Sequence, residues 1–271
     1  EDGSAGLSDG SAKGDWRMPN FLELYSLVNN VDNSPGTWLN TQGFANIGTG
    51  YPYWNSTTRP GVTNNKYFIS FADGSGASSS QVATSAPGRA ILPVRGPVQS
   101  GVLYPSKTGQ TITYRTANDA DDDGAFEHGI EWPDPRFIDL GDGTILDRLS
   151  GLIWVEDWTL IYDGSQTWSQ ALTRVADLKD DGINLTDNSN RGDWRLPNIR
   201  ELATLLNYDE VGIAAWLESF GFDNVPPATE VWSSTSVGAT ASAYGLHMSS
   251  LDIRVLGKGS GHPVIAVRTL R

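Results

Sequence analysis

Apolar positions along the chain follow two rhythms. After Thr167, Trp168, Ala171, Leu172, Val175 and Leu178 recur at steps of three and four, which predicts a helix with Gly182 as its stop. Leu24, Leu27 and Val28 form one apolar face, and Leu202, Leu205 and Leu206 form another. Each face follows an Asn with Glu three residues on: Asn20 with Glu23, and Asn198 with Glu201. That is capping-box spacing, in which the amide side chain accepts from the third backbone N–H and the Glu reaches back. Pro19 and Pro197 disfavour helix in the residue before them and so fix both starts. Shorter runs predict strands. Phe137-Ile138-Asp139-Leu140 and Thr144-Ile145-Leu146-Asp147 flank Gly141-Asp142-Gly143, a hairpin pattern, and Leu152-Ile153-Trp154-Val155 reads as a buried strand.

These elements belong to a repeat. Gly14-Asp15-Trp16-Arg17-Met18-Pro19-Asn20 returns as Gly192-Asp193-Trp194-Arg195-Leu196-Pro197-Asn198, 178 residues later, with 10 identities in the 16 positions from Gly14 to Asn29. At the same offset Trp38-Leu39 matches Trp216-Leu217, and Trp54-Asn55-Ser56-Thr57 matches Trp232-Ser233-Ser234-Thr235. Val94-Arg95 matches Val267-Arg268 at an offset of 173, so five residues differ between the copies in that interval. The chain therefore divides into a first domain over 1–97, an acidic linker over 98–135 and a second domain over 136–271. The first domain has no counterpart to the hairpin, strand and helix of residues 137–178, and its opening at Glu1 reads as a processed form or a fragment. The repeated motif is architectural: Trp16 and Trp194 anchor cores, and Arg17 and Arg195 pair with backbone carbonyls or a carboxylate. Trp54, Trp232, Arg95 and Arg268 sit in core strands.

Composition narrows the chemistry. The 271 residues include 30 Gly and 10 Trp, with 38% hydrophobic and 19% charged residues, which favours short strands and tight turns over long helices. No apolar run is long enough to insert in a membrane. Without Cys there are no disulfides, thiol nucleophiles or thiolate-bound metals. A net charge of −13 argues against nucleic acid as partner. His128, His247 and His262 occupy no matching positions in the repeat, so no base is placed for a Ser or Thr nucleophile, and an enzyme is not expected.

Two sets of residues remain as candidate sites. Asp119-x-Asp121-x-Asp123-Gly124 has oxygen ligands at the first, third and fifth positions of a calcium loop and Gly at the sixth, with Glu127 at the ninth. Ile130 stands where a twelfth-position Glu would be, and calcium binding here would stiffen the joint. Length variation belongs in surface loops, so residues 59–90 and 236–262 are the variable loop regions. They offer Lys66, Tyr67 and Asp73 in the first copy, and Tyr244, His247, Asp252, Arg254 and Lys258 in the second. Polar groups with an occasional aromatic suit a sugar.

Together, Gly-Asp-Trp-Arg-Leu-Pro-Asn with the following Glu-Leu, Trp-Ser-Ser-Thr and the terminal Val-Arg resemble the Lcl C-terminal domain family of bacterial surface domains. Phe137 to Trp154 and Lys107-Thr108-Gly109-Gln110 are also similar to it. The resemblance implies an α+β chain of two tandem C-type-lectin-like domains, with small mixed sheets, two helices in the complete copy and long irregular loops presenting the binding surface. It implies an extracellular location and binding to a glycan or another surface polymer. The alternative is a structural subunit of a fibre or surface assembly, with the short first domain completed by a second chain or by copies of itself.

Overall fold

The computed structural model describes residues 6–32, 34–62, 65–80, 89–96, 105–113, 122–161 and 164–270. The chain forms two compact units, one of Glu1–Val28 with Ser34–Ile130 and one of Asn29–Asn33 with Glu131–Arg271. The division falls after Ile130, so residues 105–113 and 122–130 belong to the first unit instead of standing between two domains. No strand forms over Thr111–Thr113, and Tyr114 lies outside the described residues.

In the first unit the helices α1 (Phe21–Tyr25) and α2 (Pro35–Thr41) precede β1 (Tyr53–Thr58), β2 (Asn65–Ile69), β3 (Gly76–Ser80) and β4 (Ala90–Ile91), and a short α3 (Asp123–Phe126) comes last. β1 pairs antiparallel with β2 and parallel with β4, and β2 pairs antiparallel with β3, which makes a small mixed sheet. The capping box at α1 is complete: Asn20 accepts from the Glu23 N–H at 2.9 Å and Glu23 accepts from the Asn20 N–H at 2.8 Å. Phe21, Leu24, Tyr25 and Val28 are buried, with Phe21 stacked on Tyr25 and edge-on to Tyr67 at 5.7 Å.

The second unit contains β5 (Phe137–Asp139), β6 (Thr144–Asp147), β7 (Leu152–Val155), α4 (Trp168–Asp177), α5 (Ile199–Thr204), α6 (Ala214–Glu218), β8 (Glu230–Ser236), β9 (Ser242–His247), β10 (Asp252–Gly257) and β11 (Val267–Thr269). β5, β6, β7 and β11 make one antiparallel sheet, and β8, β9 and β10 pair antiparallel in another. The expected hairpin at Gly141–Gly143, the buried strand at Leu152–Val155 and the capped helix after Asn198 all form. The helix after Thr167 ends at Asp177, before Gly182, and α6 around Trp216 makes three α-helices among the described residues of this unit instead of two. The 59–90 and 236–262 intervals, expected as irregular loops, hold the hairpins β2–β3 and β9–β10. α+β with small sheets and few helices is thus the observed class.

One buried ion pair organises the second unit's core. Arg136 and Asp147, with side chains 4% and 0% exposed, meet through Nε–Oδ1 at 3.1 Å and Nη2–Oδ2 at 3.3 Å. Arg136 also donates to the Thr204 carbonyl and lies 4.5 Å from the Trp132 ring and 4.6 Å from the Phe137 ring. Asp147 has further donors in the Leu149 N–H and the Ser150 hydroxyl. These hydrogen bonds offset most of the desolvation of the buried pair, while Arg136 Nη1 stays buried without a hydrogen-bond partner.

Candidate functional site

The two copies of the motif repeat their contacts as well as their letters. Arg17 pairs with Glu23 at 2.5 Å and Arg195 with Glu201 at 2.6 Å. Arg95 pairs with Asp9 at 2.9 Å, and Arg268 with Asp187 at 3.0 Å. Arg17 bridges Val94 as Arg195 bridges Val267. Thr57 and Thr235 each accept from the first N–H of the capped helix that precedes them in the chain, at 2.9 and 3.0 Å.

The copies part at Trp16 and Trp194. Trp194 is 1% exposed and donates its indole N–H to Ser189 Oγ at 3.0 Å, and the Gly192 N–H beside it donates to Ala176 of α4 at 2.8 Å. Among the described residues no helix takes the place of α4 beside Gly14, and Trp16 is only half-buried with its indole N–H unpaired. Val267 is fully buried in β11, whereas Val94 is half-exposed.

A cleft of about 850 Å³ opens there, within the size range of small-molecule sites. Lys13, Asp15, Trp16, Arg17, Arg95, Phe126 and His128 line it. Phe126 and His128 are stacked, 5.5 Å apart and 5° from parallel. Burial, with the neighbouring Arg17 charge and against the pull of Glu23, holds the His128 imidazole below its ordinary value. Three cations, one carboxylate and three aromatic rings therefore converge in a chain whose overall charge is strongly negative. Sequence reasoning placed Arg17, Trp16 and Arg95 as architecture and did not find Lys13, Phe126 or His128. No periodicity joins residues 13 and 128; only the fold does.

The residues expected to bind ligand separate into two groups. Tyr67 and Tyr244 are fully buried and cannot stack on a sugar; each is a core residue of an inner strand. Lys66 is buried in β2, and Asp73 accepts from the Ser75 N–H and hydroxyl at 3.0 and 2.8 Å, closing the β2–β3 turn. Lys258 lies 4.4 Å from the Trp168 ring and donates to the Thr240 carbonyl. His247, Asp252 and Arg254 do meet. Strand register sets Glu230, His247 and Asp252 in a row, and Arg254 donates to Glu230 at 2.6 Å and to Asp252 at 3.0 Å. Ser250 donates its hydroxyl to Asp252 at 2.6 Å and its N–H to His247 Nδ1 at 3.2 Å. Burial opposes ionisation of Glu230, but hydrogen bonds from its own backbone and from Arg254 hold its carboxyl below the ordinary value. This is a closed, satisfied network on a half-exposed sheet face.

The core anchors also differ in detail. Trp232 is fully buried and donates to the Gln166 carbonyl at 2.8 Å. Trp54 is half-buried, with the Arg89 guanidinium 4.2 Å above its ring.

Asp119 and Asp121 lie outside the described residues. Asp123 points inward and accepts from the hydroxyls of Thr57 at 2.7 Å and Thr108 at 2.6 Å, and Glu127 pairs with Lys107 at 3.1 Å. Among the described residues no three acidic or His side chains gather as metal ligands.

The buried Arg136–Asp147 pair, the Gly143 turn and the β11 edge at Val267 lie within or beside one continuous stretch. Residues 143–268 match the family model of the Lcl C-terminal domain. No curated protein matches the chain. The Lcl C-terminal match spans most of the second unit, from the β5–β6 turn to β11, and the 850 Å³ cleft lies outside it.

Proposed function

We propose that the chain is a non-catalytic extracellular binding protein of the bacterial surface, and that its first unit is a second, partial copy of the Lcl C-terminal type with a C-type-lectin-like fold. Its ligand is a glycan or related surface polymer carrying carboxylate or sulfate groups. The observation that carries this reading is the first-unit cleft, where Lys13, Arg17 and Arg95 stand beside Trp16 and the Phe126–His128 stack. Aromatic faces suit the apolar side of a sugar ring, and the cations suit its acidic substituents. The matched Lcl-type region supports the surface assignment.

Calorimetric titration with sulfated and uronate-containing oligosaccharides tests the reading. Saturable binding is expected, weakened about tenfold or more by Lys13→Glu and falling with added salt, as expected for exposed charges. Equal binding by the wild type and Lys13→Glu would remove the cleft from the account.

One observation favours a second reading, a structural subunit completed by another chain. The cleft lies where α4 covers Gly192 in the second unit, so an equivalent helix from another molecule would fit the same place. Size analysis separates the two: a stable monomer that binds oligosaccharide excludes completion in trans.

A further inference from the structure

The outer half of β1 is a strand edge, and the first unit closes it without a strand. Gln110 spans Thr58 with its side-chain amide, accepting from the Thr58 N–H at 3.0 Å and donating to the Thr58 carbonyl at 2.8 Å. Asp122 accepts from the Thr58 hydroxyl at 3.0 Å, and Asp123 from Thr57 and Thr108. The two limbs, 105–113 and 122–130, hold each other through Lys107 N–H to the Ile130 carbonyl at 3.0 Å and Ile130 N–H to the Pro105 carbonyl at 2.9 Å. A side chain at Gly124 would overlap the Ile112 backbone, and one at Gly129 the Lys107 backbone, so both glycines are needed for this close approach. Asn20 completes the attachment by donating its side-chain N–H to the His128 carbonyl at 2.8 Å. Beneath this segment Thr57 and Thr58 are 0% exposed and Asn20 is 1% exposed.

The second unit carries the same receiving residues without the cover. Thr235, Ser236 and Asn198 correspond to Thr57, Thr58 and Asn20, and all three are half-exposed. The Arg195–Glu201 side chains are 43% and 18% exposed, against 15% and 5% for Arg17–Glu23. Val237 donates to the Ser242 carbonyl at 3.0 Å, just as Arg59 donates to the Asn65 carbonyl at 2.8 Å. This makes Ser236↔Ala243, like Thr58↔Lys66, a non-hydrogen-bonded pair, so the Ser236 N–H and C=O face away from β9. Both strands shift register at the same place, between Trp54 and Thr58 and between Trp232 and Ser236. Among the described residues no side chain spans the Ser236 main chain as Gln110 spans Thr58, and the Asn198 side-chain N–H has no acceptor.

We propose that the edge of β8 at Thr235–Ser236, with Asn198, is a docking site for an acidic polypeptide segment of the kind formed by residues 105–130, offered from outside residues 1–271. The required chemistry is a Thr-Gly-Gln limb, whose Gln spans the Ser236 main chain, and an Asp-Asp-Gly turn, whose carboxylates accept from Ser236 and Thr235. The first unit shows that this receiving set holds such a segment, and Arg195, more exposed than Arg17, adds a cation beside an acidic occupant.

A synthetic peptide of residues 104–131, titrated into the whole chain, tests this by calorimetry with amide hydrogen exchange as the map. The expected result is saturable one-to-one binding, with exchange slowed over 230–237 and unchanged over 53–58. Ser236→Leu in the protein weakens binding at least roughly tenfold, as loss of two or more hydrogen bonds requires, with an unchanged circular dichroism spectrum. Replacing Asp122 and Asp123 together by Ala in the peptide does the same, and that arm needs no altered protein. Absence of saturable binding overturns the proposal. So does protection appearing at 53–58, where the peptide would merely displace the resident segment, or binding indifferent to the peptide replacements.

Discussion

Asp123 shows how far one residue's environment can depart from its sequence context. In a run of acidic residues it reads as a solvated or cation-binding group, yet burial raises its carboxyl to about 6, only partly opposed by hydrogen bonds from Thr108 and Thr57. A carboxyl raised on folding stabilises the fold in its protonated form. That contribution is fully present below the unfolded value of 3.8 and is lost as pH rises through about 6. The wild type should therefore lose up to about 3 kcal/mol of stability from this group across that interval. Asp123→Asn should lack that decline and match or exceed the wild type in melting temperature at pH 7. Calcium gives an independent check: with Asp123 turned to hydroxyls, Asp123→Asn should leave any calcium heat unchanged, and its loss would return Asp123 to a ligand set. Arg136 makes the opposite case. Arg136→Met leaves Asp147 buried without its cation and should cost about 3–5 kcal/mol in denaturant unfolding.

At the scale of elements, legibility followed how local the determining interaction is. Both capping boxes, the Gly141–Gly143 hairpin and the Leu152–Val155 strand were readable because each depends on residues within a few positions. The hairpins β2–β3 and β9–β10 were not. Ala243, Tyr244, Gly245 and Leu246 are buried in succession, so β9 has no polar–apolar alternation, and the Gly-Ala-Ser-Ser-Ser of β3 has almost no apolar signal. Nor could the sequence tell that residues 105–130 belong to the first unit, since Thr57 to Asp123 is a contact across 66 residues. That contact distinguishes two otherwise matching threonines. Thr235→Ala removes the acceptor for one helix-start N–H and should cost about 1 kcal/mol. Thr57→Ala also strips a donor from buried Asp123 and should cost about 1–2 kcal/mol more, which paired chemical denaturation curves will measure.

For the whole molecule, net charge proved a poor guide to local surface. A chain at −13 still gathers Lys13, Arg17 and Arg95 around one cleft, because the repeated Arg positions are fixed by pairing to Glu23 and Asp9 and Lys13 comes beside them with the turn before Trp16. Of the candidate ligand residues, only His247, Asp252 and Arg254 were brought together, and they are occupied with one another. The cleft could not be read from the chain because it lies where, among the described residues, the first unit has no counterpart to the α4 cover of the second.

The Gln110 side chain has one further consequence. An unpaired strand edge is adhesive toward any other strand, and proteins blunt such edges with charges, prolines, bulges or covering loops. Here one primary amide, standing in for a peptide group on Thr58, does the blunting together with two carboxylates. Gln110→Ala should therefore reveal itself less as lost melting temperature than as lost solubility, with concentration-dependent light scattering at temperatures where the wild type stays clear. Residue 110 then acts as a gatekeeper against self-association, a role governed by what the protein must not pair with.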